Sequence, residues 1–282
     1  MNKVLFKMAH LFIWLLVAAL YAPLFFNLYS IRWDTIDYSH AYFILPLALW
    51  LTWRKRKDIS AAATQSGHGN ANAGSFLILI LGALMFIFGW RQDYIFIQTL
   101  SLIPVLFGLT GYLYGANMTK LLLFPILYLM LLVPPPFGIL DSITLPMRYG
   151  ISALTEKILF LLNYPISREG LMLRIGYTDI FMGAPCSGFR SLITMFSLIL
   201  VYVYICKGNL TKKVILASFI IPVSLMGNLV RVITLCLITF YFGEEAGQGF
   251  FHNFSGIVIF IITLLGLLGA ESLIDRIQSR YA

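Results

Sequence analysis

A chain of 282 residues that is 60% hydrophobic, 15% aromatic and only 11% charged lacks the polar surface of a soluble domain and reads as an integral membrane protein. Its net charge of +8 would suggest nucleic acid in a soluble protein. Here the cations cluster in a few loops between apolar runs, which fits orientation in a bilayer and implies no nucleic-acid partner.

Apolar runs approaching the roughly 20 residues a spanning helix needs predict an all-α polytopic membrane protein of eight helices. They fall over 8–27, 38–53, 75–90, 94–114, 117–133, 187–206, 214–242 and 254–270, the second and third being short. Leu11 to Asn27 follows Lys3 and Lys7 without a small-residue cleavage site, and reads as the first span rather than a signal peptide. Residues 58–74 are rich in Gly, Ala and Asn and read as a flexible cytoplasmic loop. Val133-Pro134-Pro135-Pro136 ends the fifth span, because prolines cannot continue a helix. A short periplasmic or interfacial insertion, 134–185, then precedes the sixth. Within it, Pro146 to Tyr164 sets Arg148, Glu156 and Lys157 among Leu, Ile and Phe, as in a helix lying in the interface or docked on the bundle. Pro165 to Met182 alternates polar and apolar residues and predicts a small hairpin. Pro222 is placed to kink the long seventh span.

Orientation follows from the basic residues. Lys3, Lys7, Arg54 to Lys57, Lys120, Lys207, Lys212, Lys213, Arg276 and Arg280 fall on one side, and outnumber Arg32, Arg91, Arg148, Lys157, Arg168 and Arg174 on the other. The bias puts both termini in the cytoplasm and Cys186 at the outer face.

Gly183-Ala184-Pro185-Cys186-Ser187-Gly188-Phe189-Arg190 is a polar segment running into an apolar helix. Pro185 suits a first helical turn. Cys186 would then sit at the positive end of the helix dipole, where free N–H groups favour a thiolate. Ser187 and Gly188 are small enough to leave the sulfur open, and Arg190, four residues on, would share its helix face. Cys186 reads either as a nucleophile or as a small apolar residue of a membrane helix. Cys206 and Cys236 lie in apolar runs and read as core residues, and the three cysteines form no disulfide framework.

On the seventh span Ser224, Gly227, Asn228, Arg231 and Thr234 recur every three or four residues as one polar stripe. An unpaired arginine in a bilayer costs at least about 3 kcal/mol, so Arg231 should face the bundle interior with a partner. Its role is either functional or that of a structural hydrogen bond or a side chain snorkelling to the interface. His252, in Gly249-Phe250-Phe251-His252-Asn253, reads as an interfacial anchor or as a titratable base. Cys186, Arg231 and His252 reach the same side from three helices, and a thiol, a cation and a base suffice for acyl transfer through a thioester. The histidines at 10, 40, 68 and 252 have no metal-ligand spacing, and no cofactor is expected.

Cys186-Ser187-Gly188-Phe189-Arg190-Ser191, Asn228-Leu229-Val230-Arg231-Val232 and Phe251-His252-Asn253-Phe254-Ser255-Gly256 resemble, in order and spacing, the three motif blocks of the exosortase/archaeosortase family. Ser39-His40-Ala41-Tyr42 through the basic run to Lys57, and Arg168-Glu169-Gly170, resemble further family segments. The resemblance covers nearly the whole chain and makes it one integral membrane exosortase domain, 1–282. It implies a bacterial inner-membrane cysteine transpeptidase with its site facing the periplasm. Its partners would be exported proteins with a C-terminal sorting signal: a motif such as Pro-Glu-Pro (PEP-CTERM), a membrane helix and a basic tail. Carried over, Cys186 would attack the scissile carbonyl and hold the acyl-thioester, while Arg231 would stabilise negative charge or deliver a proton. His252 takes a position that is arginine in archaeal relatives, which leaves base and thiolate or oxyanion stabiliser both open. Ser187, Gly188, Arg190, Asn228, Asn253 and His40 would support the site or bind substrate. Many members have an acidic residue where this chain has Ala184-Pro185, and some carry a fused soluble domain where this sequence ends at Ala282.

Two other readings are weighed. A transporter or assembly factor of exopolysaccharide export would use Arg231 and His252 along a membrane path, but no polar residues continue that path into the inner half. A purely hydrolytic intramembrane protease would share the same residues.

Overall fold

The structure, a computed structural model, describes residues 3–33, 40–65, 73–136, 138–205, 210–243 and 245–246, with helical positions at 261, 265, 266, 269, 272 and 276. The chain is mostly helical and divides into two units, Met1–Phe137 and Gly138–Ala282. Among the described residues, four helical stretches are long and apolar enough to cross a membrane: Met8–Ser30, Ala73–Arg91, Ile95–Tyr114 and Lys213–Phe242. Ala116–Leu132 and Leu192–Ile205 are apolar but shorter. This is a multi-pass membrane protein, and the span expected over 254–270 lies outside the described residues apart from 261, 265, 266 and 269.

The first unit holds α1 (Lys3–Asn27), α2 (Ala41–Arg54), α3 (Arg56–Gln65), α4 (Ala73–Arg91), α5 (Ile95–Leu100), α6 (Leu102–Tyr114) and α7 (Ala116–Tyr128). The expected fourth span is present as one helical stretch, Ile95–Tyr114, in which α5 passes into α6 through Ser101, whose N–H donates to Ile97 O at 3.0 Å, while Pro104 removes one N–H from the ladder. α4 and α6 approach closely because glycines face the contact. A Cβ on Gly82 would lie 2.7 Å from the Val105 backbone, and one on Gly108 would collide with Leu79. Such small-residue seams are how helices associate where lipid removes the hydrophobic drive. The Tyr21 hydroxyl and Ser101 Oγ, 2.7 Å apart, tie α1 to the α5–α6 junction. Leucine, isoleucine and phenylalanine side chains stand exposed around α1 and α4, as lipid-facing helices require.

One expectation fails in this unit. Residues 56–65, within and beside the expected loop 58–74, form α3, since Ala61-Ala62-Ala63 has high helix propensity and Asp58 complements the first turn.

The second unit holds α8 (Ile139–Leu161), strands β1 (Ile166–Glu169), β2 (Met172–Ile175) and β3 (Thr178–Phe181), then α9 (Phe189–Ile205) and α10 (Leu210–Phe242). The strands form an antiparallel meander, with Ile166 opposite Ile175 and Arg174 opposite Asp179. The chain is therefore not purely α-helical. The expected hairpin is a three-stranded sheet, whose alternation turns Leu173 and Ile175 inward and Met172 and Arg174 outward. Leu173, Ile175, Ile166 and Met182 pack with Ile151 and Leu159 of α8 and Leu229, Val232 and Cys236 of α10. Cys186 belongs to the same cluster. A second cluster, Met195, Ile199, Leu216 and Ile220, joins α9 to α10. α10 runs helical through Pro222.

Candidate active site

Cys186 is delivered by the sheet. After β3, Met182 N–H donates to Leu171 O (2.9 Å) and Gly183 N–H to Phe181 O (2.9 Å), which anchors the backbone at its exit. Ala184–Ser187 then makes one 3-10 turn with Pro185 near its start, closed by Cys186 N–H donating to Gly183 O at 3.0 Å. Gly188 ends that turn at φ +77°, in the left-handed region, and α9 begins only at Phe189.

This corrects the sequence reading in three respects. Cys186 does not occupy the first turn of the long helix, and Gly188 breaks the register that would have put Arg190 on its face. Arg190 lies in the first turn of α9, and its side chain is outside the described residues. Nor does the sulfur stand open, because Cys186 is only 6% exposed. Ser187, also buried, instead uses Oγ to accept a hydrogen bond from Phe189 N–H at 3.2 Å, at the start of α9.

α10 covers the turn. Asn228 is 1% exposed, and its Nδ2 donates to the Cys186 carbonyl at 2.8 Å. Its Oδ1 is buried with no hydrogen-bond partner among the described residues. Gly188 is what admits it: a Cβ there would stand 2.8 Å from Asn228 Cβ and Cγ. The junction thus needs glycine for both its backbone angle and its lack of a side chain. One helical turn on, Arg231 is 8% exposed and its charge acts on the thiol. Ser224, Asn228 and Arg231 form the buried stripe that the spacing predicted. Thr234 is not part of it, being exposed and hydrogen-bonded to Val230 O.

Burial pushes the Cys186 thiol up from its ordinary range. The Arg231 guanidinium, a backbone hydrogen bond with Gly183 and the Arg148 guanidinium each pull it down, in that order of weight. Arg148, on α8, is a residue the sequence reading left out of the site. Its signal was nonetheless present: Thr144, Arg148, Ser152 and Thr155 recur at helical spacing, and all four are buried.

His40, buried, precedes α2 in the first unit. His252 and Asn253 lie outside the described residues. Arg168, from the segment ahead of the cysteine, pairs with Glu156 of α8 (Nε to Oε2, 3.0 Å) and donates from Nη1 to Gly170 O. Its role here is to tie the sheet to α8.

A multi-pass membrane protein with a buried cysteine set between arginine-bearing helices is the class that fold and site define. The sequence matches the family described as Transmembrane exosortase (Exosortase_EpsH) over residues 33–269, and the chain belongs to that family. Membership supports a membrane sorting transpeptidase at the level of the family. No curated protein and no solved structure matches the chain.

Proposed function

We propose that this protein is a cysteine transpeptidase that cleaves C-terminal sorting signals of exported proteins, with Cys186 as nucleophile. The observation that supports it most is the seating of Cys186: its carbonyl is fixed by Asn228 and its sulfur lies in the field of Arg231. All three residues come from blocks that resemble the family's motifs.

In the reaction, the Cys186 thiolate attacks the scissile carbonyl. A C–S bond forms, and the carbonyl oxygen takes negative charge that Arg231 stabilises. The tetrahedral species collapses with cleavage of the C–N bond, and the leaving amine takes up a proton. The proton lost by the thiol goes to a base and returns to the leaving amine; His252 takes either that place or, with Arg231, the stabilisation of thiolate and oxyanion. An acceptor nucleophile then attacks the thioester and regenerates the thiol; if water does so, the outcome is hydrolysis. Ser187, Gly188, Arg190, Asn228, Asn253 and His40 take supporting or substrate-binding places.

In the same proposal the domain spans 1–282 in the bacterial inner membrane, with eight spans and both termini in the cytoplasm. The loop 58–74 is cytoplasmic, the segment 134–185 is periplasmic or interfacial, and the site faces the periplasm. The substrate is an exported protein with a PEP-CTERM-like motif, a membrane helix and a basic tail.

The acyl-enzyme is the species to capture. Rapid denaturation of purified protein mixed with a sorting-signal substrate, followed by peptide mass analysis, should find the substrate acyl group on the Cys186 peptide and none in Cys186→Ser as a thioester. Turnover with no adduct at Cys186, and undiminished by Cys186→Ser, would remove the proposal.

A further inference from the structure

Arg148 belongs to none of the motif blocks, yet it is 9% exposed in an apolar setting, where a cation is costly unless it is paired or put to use. Its Nε is buried without a hydrogen-bond partner among the described residues. Its Nη2 reaches Asp141 Oδ1 only at 3.6 Å, beyond hydrogen-bond range, and the Asp141 side chain is 76% exposed. A water-facing carboxylate at that distance neutralises little of the charge. Structural pairing therefore does not account for the guanidinium. α8 packs directly on the Ala184–Ser187 turn, and Ile151, nearly one turn on from Arg148, belongs to the apolar cluster that encloses Cys186.

We propose that Arg148 is a positioning residue of the thiol site: from the α8 side its guanidinium supplies a second positive charge, beside that of Arg231, which stabilises the Cys186 thiolate. The proposal rests on the reading of Cys186 as nucleophile. Among the described residues, the charged and titratable groups around Cys186 are Arg148 with Asp141 on α8, and Arg231 and the Cys236 thiol on α10. The sheet contributes the apolar Leu173 and Ile175. The charge of Arg148 acts on the sulfur in the sense that opposes burial. Two cations on separate helices let an apolar wall exclude water from the sulfur without forbidding its ionisation.

The test is the pH profile of Cys186 alkylation by iodoacetamide in the full chain, read at the Cys186 peptide by mass so that Cys206 and Cys236 do not interfere. Removing a nearby cation raises the thiol pKa, so Arg148→Gln should shift the profile upward by about one pH unit, a roughly tenfold slower reaction at neutral pH. Arg148→Lys should recover most of that loss, which a merely structural role would not require. Asp141→Asn, which removes a water-facing carboxylate that neutralises little of the charge, should leave the profile nearly where it is. Coincident profiles for wild type and Arg148→Gln would overturn the proposal. Should Arg148→Gln fail to fold, the neutral and similarly long Arg148→Met is read in its place, and a profile coincident with wild type would do the same. The readout needs no peptidase activity: shifted profiles in a protein that processes no substrate would keep this role for Arg148 and remove the transpeptidase reading instead.

Discussion

At Cys186 two effects act on one sulfur. Removal from water favours the neutral thiol, while Arg231 and Arg148 favour the thiolate, and burial is the largest of these influences. A raised thiol pKa means that the thiolate fraction grows as pH rises through that value, so alkylation at Cys186 should accelerate across the alkaline range. Arg231→Gln should displace the profile to still higher pH, and a profile already flat at neutral pH in wild type would contradict the balance drawn here. The Gly188–Asn228 contact makes a second prediction. Gly188→Ala must place a side chain at positive φ and push it against Asn228, a cost of about 1–3 kcal/mol that should appear as a lower melting temperature in detergent. Asn228→Asp should be worse than Asn228→Ala, because it sets a carboxylate oxygen against the Cys186 carbonyl where an N–H now donates. Equal melting of the two Asn228 variants would mean that this hydrogen bond does not position the turn. Cys186, Asn228 and Arg231 were legible in the sequence from composition and spacing. The left-handed Gly188 was not, since a glycine between a proline-led turn and an apolar run is compatible with one continuous helix.

Among the elements, the sheet matters most to the site, because it fixes where the chain leaves β3 and so where the cysteine turn begins. The Arg168–Glu156 pair joins β1 to α8 in a partly shielded position. The Arg174–Asp179 pair is bidentate, at 2.6 and 2.9 Å, but lies on the outer face of the sheet. Both groups of that outer pair are exposed, and the pairing holds the Asp179 carboxyl below its ordinary range. Glu156→Gln should therefore lower thermal stability, by about 1 kcal/mol or less, and reduce processing at the cysteine. Asp179→Asn should leave both nearly unchanged at neutral pH. The reverse ranking, measured by thermal melting and substrate processing, would show that the sheet is held to α8 in some other way. Alternation in Leu171 to Ile175 made this sheet visible in the sequence, although only a hairpin was expected. α3 is not visible in the sequence, because the polar residues around its alanine run outweigh it. The buried face of α8 is hidden there too, because Arg148 resembles the neighbouring interfacial charges Glu156 and Lys157 more than it stands out as a member of the Thr144–Thr155 stripe.

For the whole molecule, the long apolar runs α1, α5–α6 and α10 were the most legible features, since bilayer thickness imposes a length that sequence displays directly. α4, expected as a short span over 75–90, runs to 19 residues. α2 and α9 were harder to delimit, having 14 and 17 residues in the structure. The family match over 33–269 spans both units. The proposed role of Cys186 is put to the test by intact-mass analysis of an exported protein bearing a C-terminal sorting signal, co-expressed with wild type or with Cys186→Ala. The expected result is loss of the C-terminal segment with wild type alone, with a mass added at the new C-terminus if an acceptor takes the acyl group. Equal processing by the two forms would contradict it.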